Sequence, residues 1–297
     1  MSAKAVATMQ RLPVADNRAD SKRIRRRIRA AFLLAALIPA LYCGLVVTHY
    51  SLKSGKIPGG GAVRIVLIAD LHSTIYGKKQ RPLIDRIKAQ NPDLIFLIGD
   101  IADDETPIRG MSLLLAGIKG LCPIYYTTGN HEYWSRNITP ILAEIESHGV
   151  RILSDEYVEL ELYGVPLLIA GVEDPARRGY LEPDYDQPES MEKAFGGLER
   201  TGAYKILLAH RPERIGQYLR YPFDLVVSGH AHGGQARIPF LPVGLYSPNQ
   251  GFFPRLAKGV YDYGETTLVV SRGLSFNPRL PRIFNPPEIV IITLEAE

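Results

Sequence analysis

Five short apolar runs in this chain stop at the same kind of punctuation, a cluster of Asp, His, Asn and Gly. Residues 63–69 (VRIVLIA) end at Asp70-Leu71-His72, and residues 93–98 (DLIFLI) end at Gly99-Asp100. Residues 124–128 end at Gly129-Asn130-His131-Glu132 and residues 205–209 (KILLA) at His210. Residues 224–228 (DLVVS) end at Gly229-His230-Ala231-His232-Gly233-Gly234-Gln235. Apolar runs of this length read as buried strands. Ligands of α/β proteins gather at the carboxyl ends of strands, so the five clusters are expected to converge. Five of the seven histidines lie in them, and only His49 and His148 fall outside.

The segments between the runs supply helices. Helical spacing covers residues 81–90, 107–118 and 138–148, the last closed by Gly149. A further helix is expected over 189–200. Past Val150 the pattern turns to β: residues 157–163 alternate, and 165–170 follow after Gly164 as an antiparallel partner. Residues 267–271 and 288–294 add strands. The first half reads as βαβ units and the second as mixed β, which fits an α/β protein of two packed sheets flanked by helices. With 46% hydrophobic and 22% charged residues, disordered and fibrous classes are excluded.

Imidazoles, Asp carboxylates and an Asn carbonyl make a mixed nitrogen and oxygen donor set. It suits divalent manganese, iron or zinc better than a thiolate site does. Seven donors exceed one ion's needs, so two ions sharing a bridge are expected. The ordered set D-x-H, G-D, G-N-H-E, a lone His and G-H-x-H resembles the calcineurin-like metallophosphoesterases. The G-G-Q after GHAH and the late VSRGL and NPPEIVIITL segments are similar to the membrane-anchored YaeI/YkuE-type branch. The likeness covers about residues 60–297.

That resemblance implies a four-layer αββα sandwich of two mixed sheets. It implies that Asp70, His72 and His232 hold one metal, that Asn130, His210 and His230 hold the second, and that Asp100 bridges them. His131 would sit beside the leaving group as general acid. In several family members an acid placed like Asp103 pairs with that histidine. The Arg-Gly of the Ser/Thr protein phosphatases is absent here, where Asp104-Glu105 stand. The metal-binding Tyr of the purple acid phosphatases is replaced by Asp103.

The N-terminus sets a second expectation. Residues 30–52 carry no formally charged side chain and follow a basic tail. A 23-residue apolar run is long enough for a membrane helix. The reading is a cytoplasmic tail (1–29), an uncleaved transmembrane signal anchor (30–52), a flexible linker (53–62) and a metallophosphoesterase domain (63–297). A cleaved signal peptide lacks a small-x-small site here. Arg25-Arg26-Arg27 imitates a twin-arginine export signal, but the residues after it fit poorly. The charge asymmetry puts the N-terminus in the cytoplasm and the catalytic domain outside it. The net charge of +4 has the same origin. Residues 1–29 hold nine Lys or Arg against two acids, leaving 26 basic and 29 acidic groups in the rest. The body is therefore slightly acidic, and no nucleic-acid partner is expected.

Residues 236–264 are rich in Pro, Phe and Tyr and follow GHAH directly. They read as an irregular segment packed on the sheet edge, or as an apolar rim admitting a lipid-linked phosphate. Arg237, Arg255, Lys258 and Arg272 are candidates to meet its oxygens. The expected activity is a membrane-anchored phosphodiesterase on phospholipid or lipid-linked pyrophosphate, of which UDP-diacylglucosamine is the type of substrate. The alternatives are a phosphomonoesterase or nucleotidase, and a non-catalytic metal-binding scaffold.

Overall fold

A computed structural model describes residues 17–238, 241, 243–276 and 280–297. Residues 1–40 and 41–297 form separate units. In the first, helix α1 spans Asn17–Ala40. The second carries fourteen described strands: β1 (Val46–Lys53), β2 (Ala62–Ile68), β3 (Leu94–Ile98), β4 (Ile124–Thr127), β5 (Arg151–Ile152), β6 (Glu156–Leu162), β7 (Val165–Gly171), β8 (Tyr204–Leu208), β9 (Leu225–Ser228), β10 (Tyr246–Ser247), β11 (Gly251–Phe252), β12 (Gly259–Asp262), β13 (Thr267–Val270) and β14 (Glu288–Glu295). Its helices are α2 (Arg81–Lys88), α3 (Arg109–Ile118), α4 (Asn130–Trp134), α5 (Ile138–Ser147), α6 (Arg177–Tyr180), α7 (Gln187–Phe195) and α8 (Ile215–Tyr218).

Two six-stranded sheets result, ordered β1-β14-β2-β3-β4-β5 and β12-β13-β9-β8-β7-β6. Both are mixed. In the first, β14 runs antiparallel to β2 and parallel to β1. In the second, β12 and β6 are antiparallel edges on a parallel centre. Alternation along β2 explains the layering. Ile65 and Leu67 point into the core between the sheets, while Val66 and Ile68 point into the core under α2, α3 and α5. A third core of Met191, Phe195, Tyr218 and Phe223 lies under α7 and α8. Strands buried on both faces read as continuous apolar runs, which is why the sequence marks them so plainly.

The N-terminal region departs from expectation. No described helix is long and apolar enough to cross a membrane. The run 30–52 is divided: its first eleven residues finish α1, and Val46 onward forms β1 on the edge of the first sheet. β1 is held in full register with β14, and Thr48 Oγ1 donates to Glu288 Oε2 at 2.7 Å. An uncharged run satisfies a sheet edge as well as it satisfies a bilayer. The expected linker is also tied down. Lys56 Nζ reaches both oxygens of Asp224 at 2.9 Å, and Ile57 is buried in the inter-sheet core. Of the basic tail, residues 1–16 lie outside the described residues.

Candidate metal centre

The five clusters meet where the carboxyl ends of β2, β3, β4, β8 and β9 come together. Asp70, His72, Asp100, His230 and His232 all have φ between 47° and 62°. Non-glycine residues avoid that region, and holding them there costs on the order of 1 kcal/mol or more each. The surrounding packing enforces it. A Cβ on Gly129 would lie 2.5 Å from Asp100 N, and one on Gly229 would lie 2.5 Å from Asp70 Oδ2. Glycine at these two places lets the strand-end turns close on one another. The Glu132 carboxylate, fully buried, accepts from the N–H groups of Gly129 (2.9 Å), Asp100 (3.0 Å), Ile101 (2.7 Å) and Ala102 (3.0 Å). It locks the β3 turn to the β4 turn. The sequence quotes Glu132 inside GNHE without disclosing this task.

Each of the four histidines of the donor set is fixed through one ring nitrogen. His72 Nδ1 lies 3.0 Å from Asp103 Oδ1, and His210 Nδ1 lies 3.0 Å from the Ile98 carbonyl. His230 Nε2 lies 2.8 Å from Asn249 Oδ1, and His232 Nδ1 lies 3.0 Å from Ser275 Oγ. A carbonyl only accepts, so His210 Nδ1 carries a hydrogen and Nε2 is the nitrogen turned toward Asp100. Asn249 Oδ1 also accepts from Arg211 Nη1 at 2.8 Å, which settles the amide orientation and makes His230 Nε2 the donor. Histidine ligands are oriented this way, one nitrogen donating outward and the other left to a cation.

The free nitrogens face carboxylates. His72 Nε2 and His210 Nε2 lie 3.7 and 3.1 Å from Asp100 Oδ2, and His232 Nε2 lies 3.6 Å from Asp70 Oδ1. His230 Nδ1 is 3.2 Å from His210 Nε2. Ligand atoms of Asp70, His72, Asp100 and His232 lie within 4.8 Å of one another, as do those of Asp100, His210 and His230. Asp100 belongs to both groups. His72 Nε2, Asp100 Oδ2 and Asn130 Oδ1 are buried without a hydrogen-bond partner. Leaving such atoms unpaired is costly, and all three are in the donor set. The residues therefore fit two divalent cations with Asp100 between them.

The electrostatics agree with a cation-shaped gap. Burial alone would lower His210, but the Asp100 and Asp70 carboxylates outweigh it and push the imidazole up to about 10. Burial, His210 and Arg211 push His230 down to about 3. Burial opposes ionisation of Asp100, yet the surrounding histidines hold its carboxyl well below the usual range. The cluster thus holds a carboxylate ready for positive charge.

His131 lies beside the donor set, its ring 4.3 Å from that of His72 and its backbone N–H bonded to Asp100 Oδ1 at 2.9 Å. The expected partner Asp103 is within reach of its side chain, and Asp104 lies closer. His131 Nδ1 lies 2.6 Å from Asp104 Oδ1 and 3.6 Å from Asp103 Oδ1, while Asp103 is engaged by His72. The Asp103 side chain also accepts from Thr106 N at 2.9 Å, a turn that aims it at His72 and leaves Asp104 facing His131. The Trp134 ring packs 4.8 Å from the His131 ring.

Two of the four cations near residues 236–264 are committed elsewhere. Arg272 Nη2 pairs with Glu288 Oε2 at 2.6 Å, and Arg237 Nη1 donates to Gly233 O at 3.0 Å, bracing the turn that carries His232. Arg255 is exposed, and burial lowers Lys258. Asn249, Ser275 and Asp104, which orient three of the site's imidazoles, had no signal of spacing in the sequence. Residues 239, 240 and 242 of that segment lie outside the described residues.

A model of the calcineurin-like phosphoesterase family matches residues 63–234. The uncharacterized metallophosphoesterase YkuE of Bacillus subtilis is 30% identical over 263 residues, 84% of this chain and 85% of that protein. An uncharacterized metallophosphoesterase of Campylobacter jejuni is 32% identical over 79% of this chain and 60% of its own length. A transmembrane protein with metallophosphoesterase domain from Danio rerio is 28% identical over 95% of this chain and 65% of its own length. The chain thus spans about three fifths of the Campylobacter and Danio relatives.

Proposed function

The chain belongs to the calcineurin-like phosphoesterase family, and from that premise we propose that it is a two-metal phosphodiesterase acting at a membrane on phospholipid or lipid-linked pyrophosphate. The observation that carries the hydrolase reading is the pair of donor groups sharing Asp100, with three buried donor atoms left unpaired. Asp70, His72 and His232 would hold one ion, Asn130, His210 and His230 the other, and Asp100 both. Bound divalent ions lower the pKa of water and neutralise charge on a phosphoryl group. His131, held through Nδ1 by Asp104, keeps Nε2 to carry a proton to the leaving oxygen. Hydrolysis forms a P–O bond from water and breaks the P–O bond to that oxygen. Mutually oriented groups of this kind act without reorganising during reaction.

The lipid reading is supported by an apolar rim. Leu245, Tyr246, Phe252, Phe253, Phe276 and Leu280 are between 44% and 71% exposed. They flank the site, since Asn249 at the tip of the β10–β11 hairpin bonds His230, and Ser275 bonds His232. Exposed apolar surface of this extent marks a contact with lipid or protein. Membrane attachment is supported by α1, which joins a basic half to an apolar half with Leu34, Leu37 and Ile38 exposed. The excess of cations before residue 30 supports a cytoplasmic N-terminus and an external body. External protease on intact cells should then degrade the body, and protection would reverse that topology.

The activity test uses the full chain with manganese. Its kcat/KM for bis(p-nitrophenyl) phosphate is expected to exceed that for p-nitrophenyl phosphate by at least tenfold, with turnover of anionic phospholipid vesicles. Preference for the monoester would favour the nucleotidase reading. No turnover with metal bound would leave the scaffold.

A further inference from the structure

Beside His131 opens a second cavity, of about 770 Å³, whose lining includes Trp134, Tyr180, Arg178, Arg211, Arg214 and Asn249. It touches the candidate metal centre twice. Trp134 packs on His131 at 4.8 Å, and Asn249 bonds His230 at 2.8 Å. Its volume suits a ligand of nucleotide or sugar-phosphate size.

The charges on its wall are unevenly matched. Arg211 is spent on Asp174, at 2.6 Å through Nε and 3.0 Å through Nη2, and on Asn249. Glu213, the one acid of the lining, lies 3.8 Å from Arg211 and 4.0 Å from His230. Arg214 Nε donates to the neutral amide of Gln217 at 3.0 Å, and Arg178 is exposed. Among the described residues neither has a carboxylate within ion-pair distance. Two guanidinium groups without an ion pair therefore stand on a wall of a body whose overall balance is acidic. Guanidinium forks match phosphate oxygens in pairs. Trp134 is 40% exposed and Tyr180 47%, leaving two aromatic faces open to a ring.

We infer that this cavity is the subsite for the leaving half of the substrate and takes a phosphorylated, ring-bearing group, either a nucleotide or a sugar phosphate. The inference rests on the proposed phosphodiesterase reading, since Trp134 of the cavity wall packs on His131, the proton carrier to the leaving oxygen. The apolar rim then receives the lipid half, and the two halves of one substrate lie across the metals.

Trp134 is the chain's single tryptophan, so its fluorescence reports the cavity. The full metal-loaded chain is titrated with AMP, glucose-1-phosphate, adenosine, glucose and inorganic phosphate. AMP or glucose-1-phosphate is expected to change Trp134 emission with a Kd at least tenfold below that of its unphosphorylated counterpart. The tighter of the two identifies the source of the ring. Arg178→Gln with Arg214→Gln should weaken that binding at least tenfold, and Arg178→Gln alone, at an exposed position, should weaken it severalfold with the fold intact. An unchanged Kd in both variants would overturn the assignment, as would inorganic phosphate binding as tightly as either phosphorylated ring. Ring-phosphate binding that persists while aryl diesters are not hydrolysed would retire the diesterase reading and leave the cavity assignment standing.

Discussion

Four buried N–H groups converge on the Glu132 carboxylate. Each would cost about 1–3 kcal/mol if left unpaired, so Glu132→Ala should remove several kcal/mol from a protein of marginal stability. In the metal-free chain the expected fall in Tm is about 10 °C or more. A fall of under 3 °C would mean that the turns hold without it. Glu132→Gln keeps one acceptor oxygen and should cost less. The neighbouring acids separate by readout. Asp103 orients His72, a proposed ligand, so Asp103→Asn should weaken metal binding about 10–100-fold. Asp104 orients His131, so Asp104→Asn should lower kcat about 10–100-fold with metal content unchanged. Exchange of those two phenotypes would contradict the pairing seen here. The difference turns on one residue of spacing. Both acids follow Asp100 closely, and only the turn at Thr106, which takes the Asp103 side chain, decides which one reaches which imidazole.

At the scale of elements, legibility followed burial. The strands that carry the site, β2, β3, β4, β8 and β9, are apolar on both faces and end in Gly, Asp or His, so their existence and their ends were both readable. The α7 boundary was less so. It closes at Phe195, where Gly196-Gly197 offer no side chain to continue it. β1 lies within the uncharged run 30–52 that resembles a membrane helix, and lack of charge does not distinguish helix from strand. Only pairing with β14, far along the chain, identifies it. A chain beginning at Leu41 is expected to keep the fold and a Tm within about 3 °C of the whole. One beginning at Ser54 strips the edge of β14, exposes Ile289 and Ile291, and should lose at least about 5 °C in Tm or aggregate. Equal stability of the two by thermal unfolding would mean that β1 contributes nothing.

Across the whole molecule, positive charge is concentrated at the N-terminus and the body carries the acids. Two of those acids, Asp70 and Asp100, lie in the donor set, fully enclosed where the two sheets' strand ends meet. Bound divalent metal would turn this acidic interior into a phosphate-attracting site. The convergence of the five clusters was legible because each follows a strand. What the partners do to them was not, since Asn249 and Ser275 arrive from loops distant in sequence. The most direct measurement is the number of manganese ions bound per chain, by elemental analysis after equilibrium dialysis, in the unaltered protein and in Asp100→Asn. The account predicts two ions per chain, and fewer than one in the variant because the shared ligand is lost. A single ion, or two ions retained without Asp100, would contradict it.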